Sequence, residues 1–159
     1  MSLSKLVIHQ FRNINSADIT FNNNINIIVG ANGSGKTSLL EAIYFLGLGR
    51  SFRSHLTSRI VQHDHKEFTL FSEITQQDYI TPIGLQKSKN GDTILKINGA
   101  ISKKLANLTQ YLPLQLITPE SSTLLSGSPK NRRAFLVWGV FYHDHLFYHN
   151  WARIKRLLK

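Results

Sequence analysis

The residues whose types and spacing could do chemistry are residues 30–37, GANGSGKT, which match the pattern G-x-x-x-x-G-K-[ST] at all four fixed positions. Gly30, Gly33 and Gly35 allow backbone angles that turn successive N–H groups inward around a phosphate. A helix directly after the loop would point its positive end at the same anion. Lys36 is suited to place its ammonium on the outer phosphates, and the Thr37 hydroxyl to hold Mg²⁺. The alternative is a glycine turn that merely joins a strand to a helix, which requires every fixed position and both flanks to coincide by chance. The pattern points to nucleotide binding.

The flanking elements must position that loop. Residues 25–29 (INIIV) form an apolar run, predicting a strand covered on both faces that delivers the chain into the loop. Residues 38–46 predict a helix with a broad apolar surface, and Gly47 and Gly49 suit its end. Upstream, residues 5–11 and 16–21 predict a hairpin about the turn Arg12-Asn13. Downstream comes the basic loop 49–54 (GRSFRS), where Arg50 and Arg53 could reach phosphates of nucleotide or DNA and Phe52 could anchor or stack. A solvated loop with one buried Phe is the competing reading.

Residues 68–75, 79–87 and 93–98 predict three antiparallel strands, with Asn90-Gly91-Asp92 as a hairpin turn, forming a β-layer beside the nucleotide-bearing sheet. Residues 102–111 have helical spacing that Pro113 stops, and residues 114–118 predict an apolar strand returning to the main sheet. After Pro119 a turn-rich loop leads to aromatic helical segments from about Ala134. Phe135, Trp138, Phe141, Tyr142, Phe147, Tyr148 and Trp151 follow a helical face, which favours packing over a base-stacking platform. Residues 151–159 keep helical periodicity with no C-cap signal, predicting that the element continues. His143, His145 and His149 lack an HExxH pattern or a supporting carboxylate arrangement, so surface or packing roles are expected rather than metal binding.

A chain of 159 residues can bury a core and makes one domain by default. It contains no cysteine, which excludes a disulfide framework and a thiolate zinc site and suggests a reducing cytosol. No apolar run approaches the roughly 18 residues of a spanning helix, so a cytoplasmic protein without membrane contact is expected. Lys and Arg outnumber Asp and Glu by 19 to 9, a formal net charge of +10 that favours a polyanionic partner such as nucleic acid. A basic piece of a longer protein whose acidic remainder lies elsewhere would show the same balance.

A P-loop hydrolase needs a second acidic site, usually an apolar strand ending in Asp or Glu. The nearest candidate, residues 114–120, places Pro119 before its acid, Glu120. Leu125-Ser126-Gly127 is only a loose echo of an ABC-type LSxGQ signature.

Four segments in this order, LVIHQFRNI, IVGANGSGKTSLLEAIYFLGLGRSFRS, LPLQLITPE and SPKNRRAFL…WG, closely resemble the RecF family of DNA replication and repair proteins, and the match extends over essentially the whole chain. Family members are about twice this length, so the chain is similar to their N-terminal half. The resemblance implies an α/β fold of the ABC/SMC-head type of P-loop NTPase, its N-terminal portion, with an antiparallel β-layer and the start of a helical lobe. Residues 1–118 are then expected to form the ATP-binding lobe and residues 119–159 the start of the helical lobe.

By the same resemblance, ATP is bound by Gly30, Ala31, Asn32, Gly33, Gly35, Lys36 and Thr37, with Mg²⁺ on Thr37. Ser34 and Ser38 would add phosphate-side contacts, Arg12 and Asn13 would approach the nucleotide, and Arg50 and Arg53 would sense phosphate or DNA. Gln115 or Glu120 would lie near a loop coupling the lobes. The family further implies an ATP-dependent homodimer in the full-length protein that acts on single-stranded and gapped double-stranded DNA. It assists RecA loading with RecO and RecR, in DNA damage repair and the SOS response. The whole protein is expected to be a slow ATPase and this chain to carry no catalytic residue of its own. The family pattern RRAFLDWG departs here at Val137, which replaces the acid and removes a carboxylate that could pair with Arg132 or Arg133. A stand-alone P-loop NTPase or kinase acting on a small molecule is the alternative.

Overall fold

The computed structural model describes residues 1–77, 79–143 and 147–157, in two compact units, Met1–Leu114 and Gln115–Lys159. The first unit is built on strands β1 (Ser2–Phe11), β2 (Ile14–Thr20), β3 (Glu67–Gln76), β4 (Tyr79–Ser88), β5 (Thr93–Ile97) and β6 (Ala100–Ile101). They form one antiparallel sheet in the order β2-β1-β3-β4-β5-β6. Between β2 and β3 the chain leaves the sheet to make the phosphate loop and helix α1 (Lys36–Leu48).

Strand alternation decides which side carries the core. Cross-strand neighbours Ile8, Leu70, Leu85 and Leu95 make one buried row, and Leu6, Ser72 and Ile83 continue in a second. Helix α1 packs Leu39, Ala42, Phe45 and Leu46 into the same core. Phe45, Phe11 and Phe68 meet edge to face, with Phe68 at 5.0 Å from Phe11 and 5.2 Å from Phe45. Such rings bury large areas and add about 0.5–1.5 kcal/mol per pair beyond burial. Gly49 ends α1 in the left-handed region (φ 66°), its N–H returning to the Phe45 carbonyl at 2.8 Å, where a side chain would be strained.

The three-strand meander and its turn lie where alternation and Asn90-Gly91 place them, with Gly91 at φ 100°. A second Asn-Gly pair, Asn98-Gly99, adopts positive φ at both residues and adds the short β6, which has too few residues to show a period.

Two expected strands are not strands. Residues 25–29 leave Ile25, Ile27 and Val29 more than 80% exposed, and residues 114–118 leave Ile117 at 82%. A strand is defined by its ladder partners, and neither segment has a neighbouring strand among the described residues. Asn26 instead folds its side chain back onto the Asn22 backbone, closing the polar turn that precedes it. The helix expected over residues 102–111 is a tighter 3₁₀ segment, Leu105–Gln110, with Leu108 buried.

The second unit contains a 3₁₀ turn at Pro119–Ser122 and helices α2 (Thr123–Ser126), α3 (Pro129–His143) and α4 (Phe147–Leu157). Phe135 stacks on Trp138 and Phe147 on Trp151, at 5.9 and 5.7 Å. The Arg132 guanidinium donates to the Gly127 carbonyl at 2.9 Å. Lys130, Arg132, Arg133, Arg153 and Arg156 are exposed. The side chains of Glu120, Phe141, Tyr142, His143, Tyr148 and His149, together with residues 144–146 and 158–159, lie outside the described residues. No helix of the described residues is long and apolar enough to cross a membrane.

Phe68→Ala should cost about 3–5 kcal/mol, whereas Ile27→Ala should stay within about 0.5 kcal/mol in this chain. Urea unfolding midpoints of the two variants measure the contrast, and equal losses would contradict it.

Candidate nucleotide-binding site

The phosphate loop opens helix α1 through Gly35, which caps the helix at φ 100°. No side chain caps the first turn and no acid lies within it, so its N–H groups face the cleft without a competing anion. The Lys36 ammonium curls back over the loop to the Gly30 and Ala31 carbonyls, at 2.7 and 2.8 Å. The loop folds on itself through Ser34 N–H to the Ala31 carbonyl, at 3.3 Å. Thr37 is exposed on the cleft wall.

The β1–β2 turn braces this loop from outside. The Asn13 amide donates to the Gly33 carbonyl at 2.8 Å and its oxygen accepts from the Ser38 hydroxyl at 2.6 Å. Ser38 therefore turns its hydroxyl toward Asn13. Arg12 sits in the left-handed region (φ 55°), an uncommon conformation for a residue with a side chain, and its N–H donates to the Ile60 carbonyl at 2.7 Å.

Glu41, one turn further along α1, has no exposed surface. Its carboxylate accepts two bonds from Arg12, Nε at 2.9 Å and Nη2 at 2.6 Å, in the planar fork that guanidinium groups make with carboxylates. Arg53 reaches the same carboxylate through Nη1 at 3.4 Å, and the Ser51 hydroxyl donates to Oε1. Ser51 Oγ also accepts the N–H groups of Arg53 and Ser54, at 2.9 and 3.0 Å. The remaining Arg12 group, Nη1, donates to the Arg59 carbonyl at 2.5 Å. Glu41 thereby ties the helix to the β1–β2 turn and to the loop at residues 49–54.

These elements enclose a cleft of about 830 Å³. Its wall carries five cationic side chains, Arg12, Lys36, Arg53, Arg59 and Lys89, with His63 beside them. None of the described residues lining it is acidic. Near the rim, Asp64 lies 3.0 Å from His63, whose hydrogen bond and charge hold the Asp64 carboxyl below its ordinary value. Such a cleft selects polyanions.

Of the residues singled out in the sequence, Asn32 to Ser38, Arg12, Asn13 and Arg53 line the cleft. Gly30 and Ala31 meet it through the Lys36 ammonium. Arg50 is exposed and is not among the lining residues. Phe52 packs edge to face on Tyr44 at 5.2 Å, which makes it an anchor of the loop. Gln115 is exposed with its side-chain amide 3.4 Å from the Leu116 carbonyl. Glu41, Ser51, Arg59, His63 and Lys89 were not anticipated. Only Glu41 carried a signal: it is the single acid within an otherwise largely apolar helix.

The loop at the head of a helix, the cationic cleft and the flanking antiparallel sheet define a nucleotide-binding α/β head of the ABC/SMC type. Residues 2–134 match the family model described as "RecF/RecN/SMC N terminal domain", and the chain belongs to that family. The "DNA replication and repair protein RecF" of Psychromonas ingrahamii is 77% identical over 159 residues, which are 100% of this chain and 44% of that protein. The chain thus spans less than half the length of this relative. A solved structure described as "the recombination mediator protein RecF-ATP in RecFOR pathway" has a TM-score of 0.84 and 26% identity, over 98% of this chain and 43% of that one. An SMC ATPase structure at 19% identity, covering 86% of this chain and 98% of that one with a TM-score of 0.69, shares the fold.

The bracing role of Asn13 is testable. Asn13→Ala should leave the buried Ser38 hydroxyl without its acceptor, cost about 1–3 kcal/mol and loosen the phosphate loop. Amide hydrogen exchange at residues 31–35 should accelerate, and unchanged exchange there would show that the loop holds itself.

Proposed function

We propose that this chain is the nucleotide-binding portion of a RecF-type, ATP-dependent DNA-repair protein. The reading rests on the GANGSGKT loop folded at the uncapped head of α1, inside a cleft whose described lining residues include five cations and no acid. The identity to a replication and repair RecF and the likeness to an ATP-containing RecF structure support both the nucleotide and the process.

The inner phosphates of ATP sit against the N–H groups of the loop and the first turn of α1, where the helix dipole favours negative charge. Lys36 exchanges the Gly30 and Ala31 carbonyls for phosphate oxygens, a stronger, charge-assisted pairing. Arg12 and Arg53 add positive potential on the facing wall. The exposed Thr37 hydroxyl on the cleft is the group of this chain that would hold Mg²⁺, which would supply neutralisation of phosphate charge there. Hydrolysis needs an acid to orient water. This chain is read as the part that binds nucleotide, with that acid supplied by the rest of the whole protein.

In the whole protein, ATP occupancy drives pairing of two heads, and the paired heads present a basic surface to single-stranded and gapped DNA. The exposed cations of α3 and α4 and the net charge of +10 support that surface. There the protein acts in the cytoplasm with RecO and RecR to load RecA after DNA damage and in the SOS response.

Lys36→Ala tests the nucleotide step. Loss of a charge-assisted contact should weaken ATP binding about 10- to 100-fold and abolish ATP-dependent association of the full-length protein. Nucleotide-free DNA binding should be unchanged and should fall steeply with salt. Wild-type ATP affinity in the variant would refute the reading.

A further inference from the structure

Glu41 is the most buried charged group in the described structure, and phosphate-loop chemistry gives it no task. It lies at the point where three elements around the cleft converge, the head of α1, the turn bearing Arg12 and the loop bearing Ser51 and Arg53. The local charges do not cancel. One carboxylate faces two guanidinium groups, and the excess is one positive charge directed at the cleft.

The two arginines are held differently. Arg12 is 16% exposed, makes a two-point fork with Glu41 and has a third donor fixed by the Arg59 carbonyl. Arg53 is 45% exposed and touches Glu41 through a single long contact, which leaves most of its donors available. Its place on the cleft wall depends on the loop beneath it, and that loop is pinned by Ser51 to the same carboxylate.

We propose that Glu41 is a positioning residue for nucleotide-state recognition, holding Arg12 and, through Ser51, Arg53 on the cleft wall where they meet the outermost phosphate of a bound nucleoside triphosphate. This rests on the nucleotide-binding reading above. The loop and helix head serve phosphates that a diphosphate shares, so Glu41 acts chiefly on the preference for triphosphate over diphosphate. Glu41 does not touch the ligand; its effect passes through the guanidinium groups it orients.

The test is calorimetric titration of the full-length protein with ATP and with ADP, in the presence of Mg²⁺, for wild type, Glu41→Gln, Arg53→Gln and the double variant. Glu41→Gln should lower the ratio of ATP to ADP affinity about tenfold, the scale of one charge-assisted hydrogen bond, while ADP affinity changes less than about threefold. The double variant should be no worse than the stronger single, because both remove the same positioned charge. If Glu41→Gln does not fold, Glu41→Asp and Ser51→Ala replace it; each should lower the ratio, with Glu41→Asp the milder because it keeps the charge. An equal fall in ATP and ADP affinity, or an unchanged ratio in these variants, would make Glu41 purely structural and overturn the proposal. Failure of the underlying reading is distinguishable, since Lys36→Ala would then leave both affinities at the wild-type value.

Discussion

The arrangement around the cleft depends on how one buried charge is satisfied. A carboxylate removed from water is strongly unfavourable unless it is paired and hydrogen-bonded. Glu41 has no exposed surface and meets that constraint with the Arg12 fork, the Ser51 hydroxyl and Arg53. Its partners come from 29, 10 and 12 residues away in the chain, so satisfying it fixes the β1–β2 turn and the loop at residues 49–54 relative to α1. Asn13, next to Arg12, then reaches the Gly33 carbonyl and braces the phosphate loop.

The sheet positions the connections that form the far wall. Antiparallel pairing carries the chain out of β2, through the loop and helix, and back to β3 beside β1. The segment returning toward β3 brings Arg59, Val61 and His63 to the cleft, fixed by the Phe11–Val61 bridge and by Gln62 N–H to the Gln10 carbonyl at 2.9 Å. Lys89, at the end of β4, is held there by its N–H to the Lys66 carbonyl at 2.8 Å. A basic cleft thus arises from backbone register as much as from the choice of side chains.

Features set by local rules were legible in the sequence. The loop follows from glycine, lysine and threonine spacing, the meander from alternation and an Asn-Gly turn, and α1 from its apolar surface and Gly49. Features set by distant partners were not. Residues 25–29 and 114–118 have the composition of buried strands, but composition cannot supply the neighbour that makes a strand. The pairing of Glu41 with Arg12 and the convergence of Arg59, His63 and Lys89 depend on tertiary contacts without a short-range pattern. At residues 105–110 the apolar spacing fits either helix type, and the tighter one forms.

The central claim is that residues 30–37 and the surrounding cations form a site for polyphosphate. Competition by inorganic triphosphate against a fluorescent ATP analogue on the full-length protein tests it most directly, because that competitor has the phosphates and lacks the nucleoside. Inorganic triphosphate should displace the analogue, and AMP should do so far more weakly. Displacement by AMP as effective as by ATP, with no effect of inorganic triphosphate, would contradict the claim.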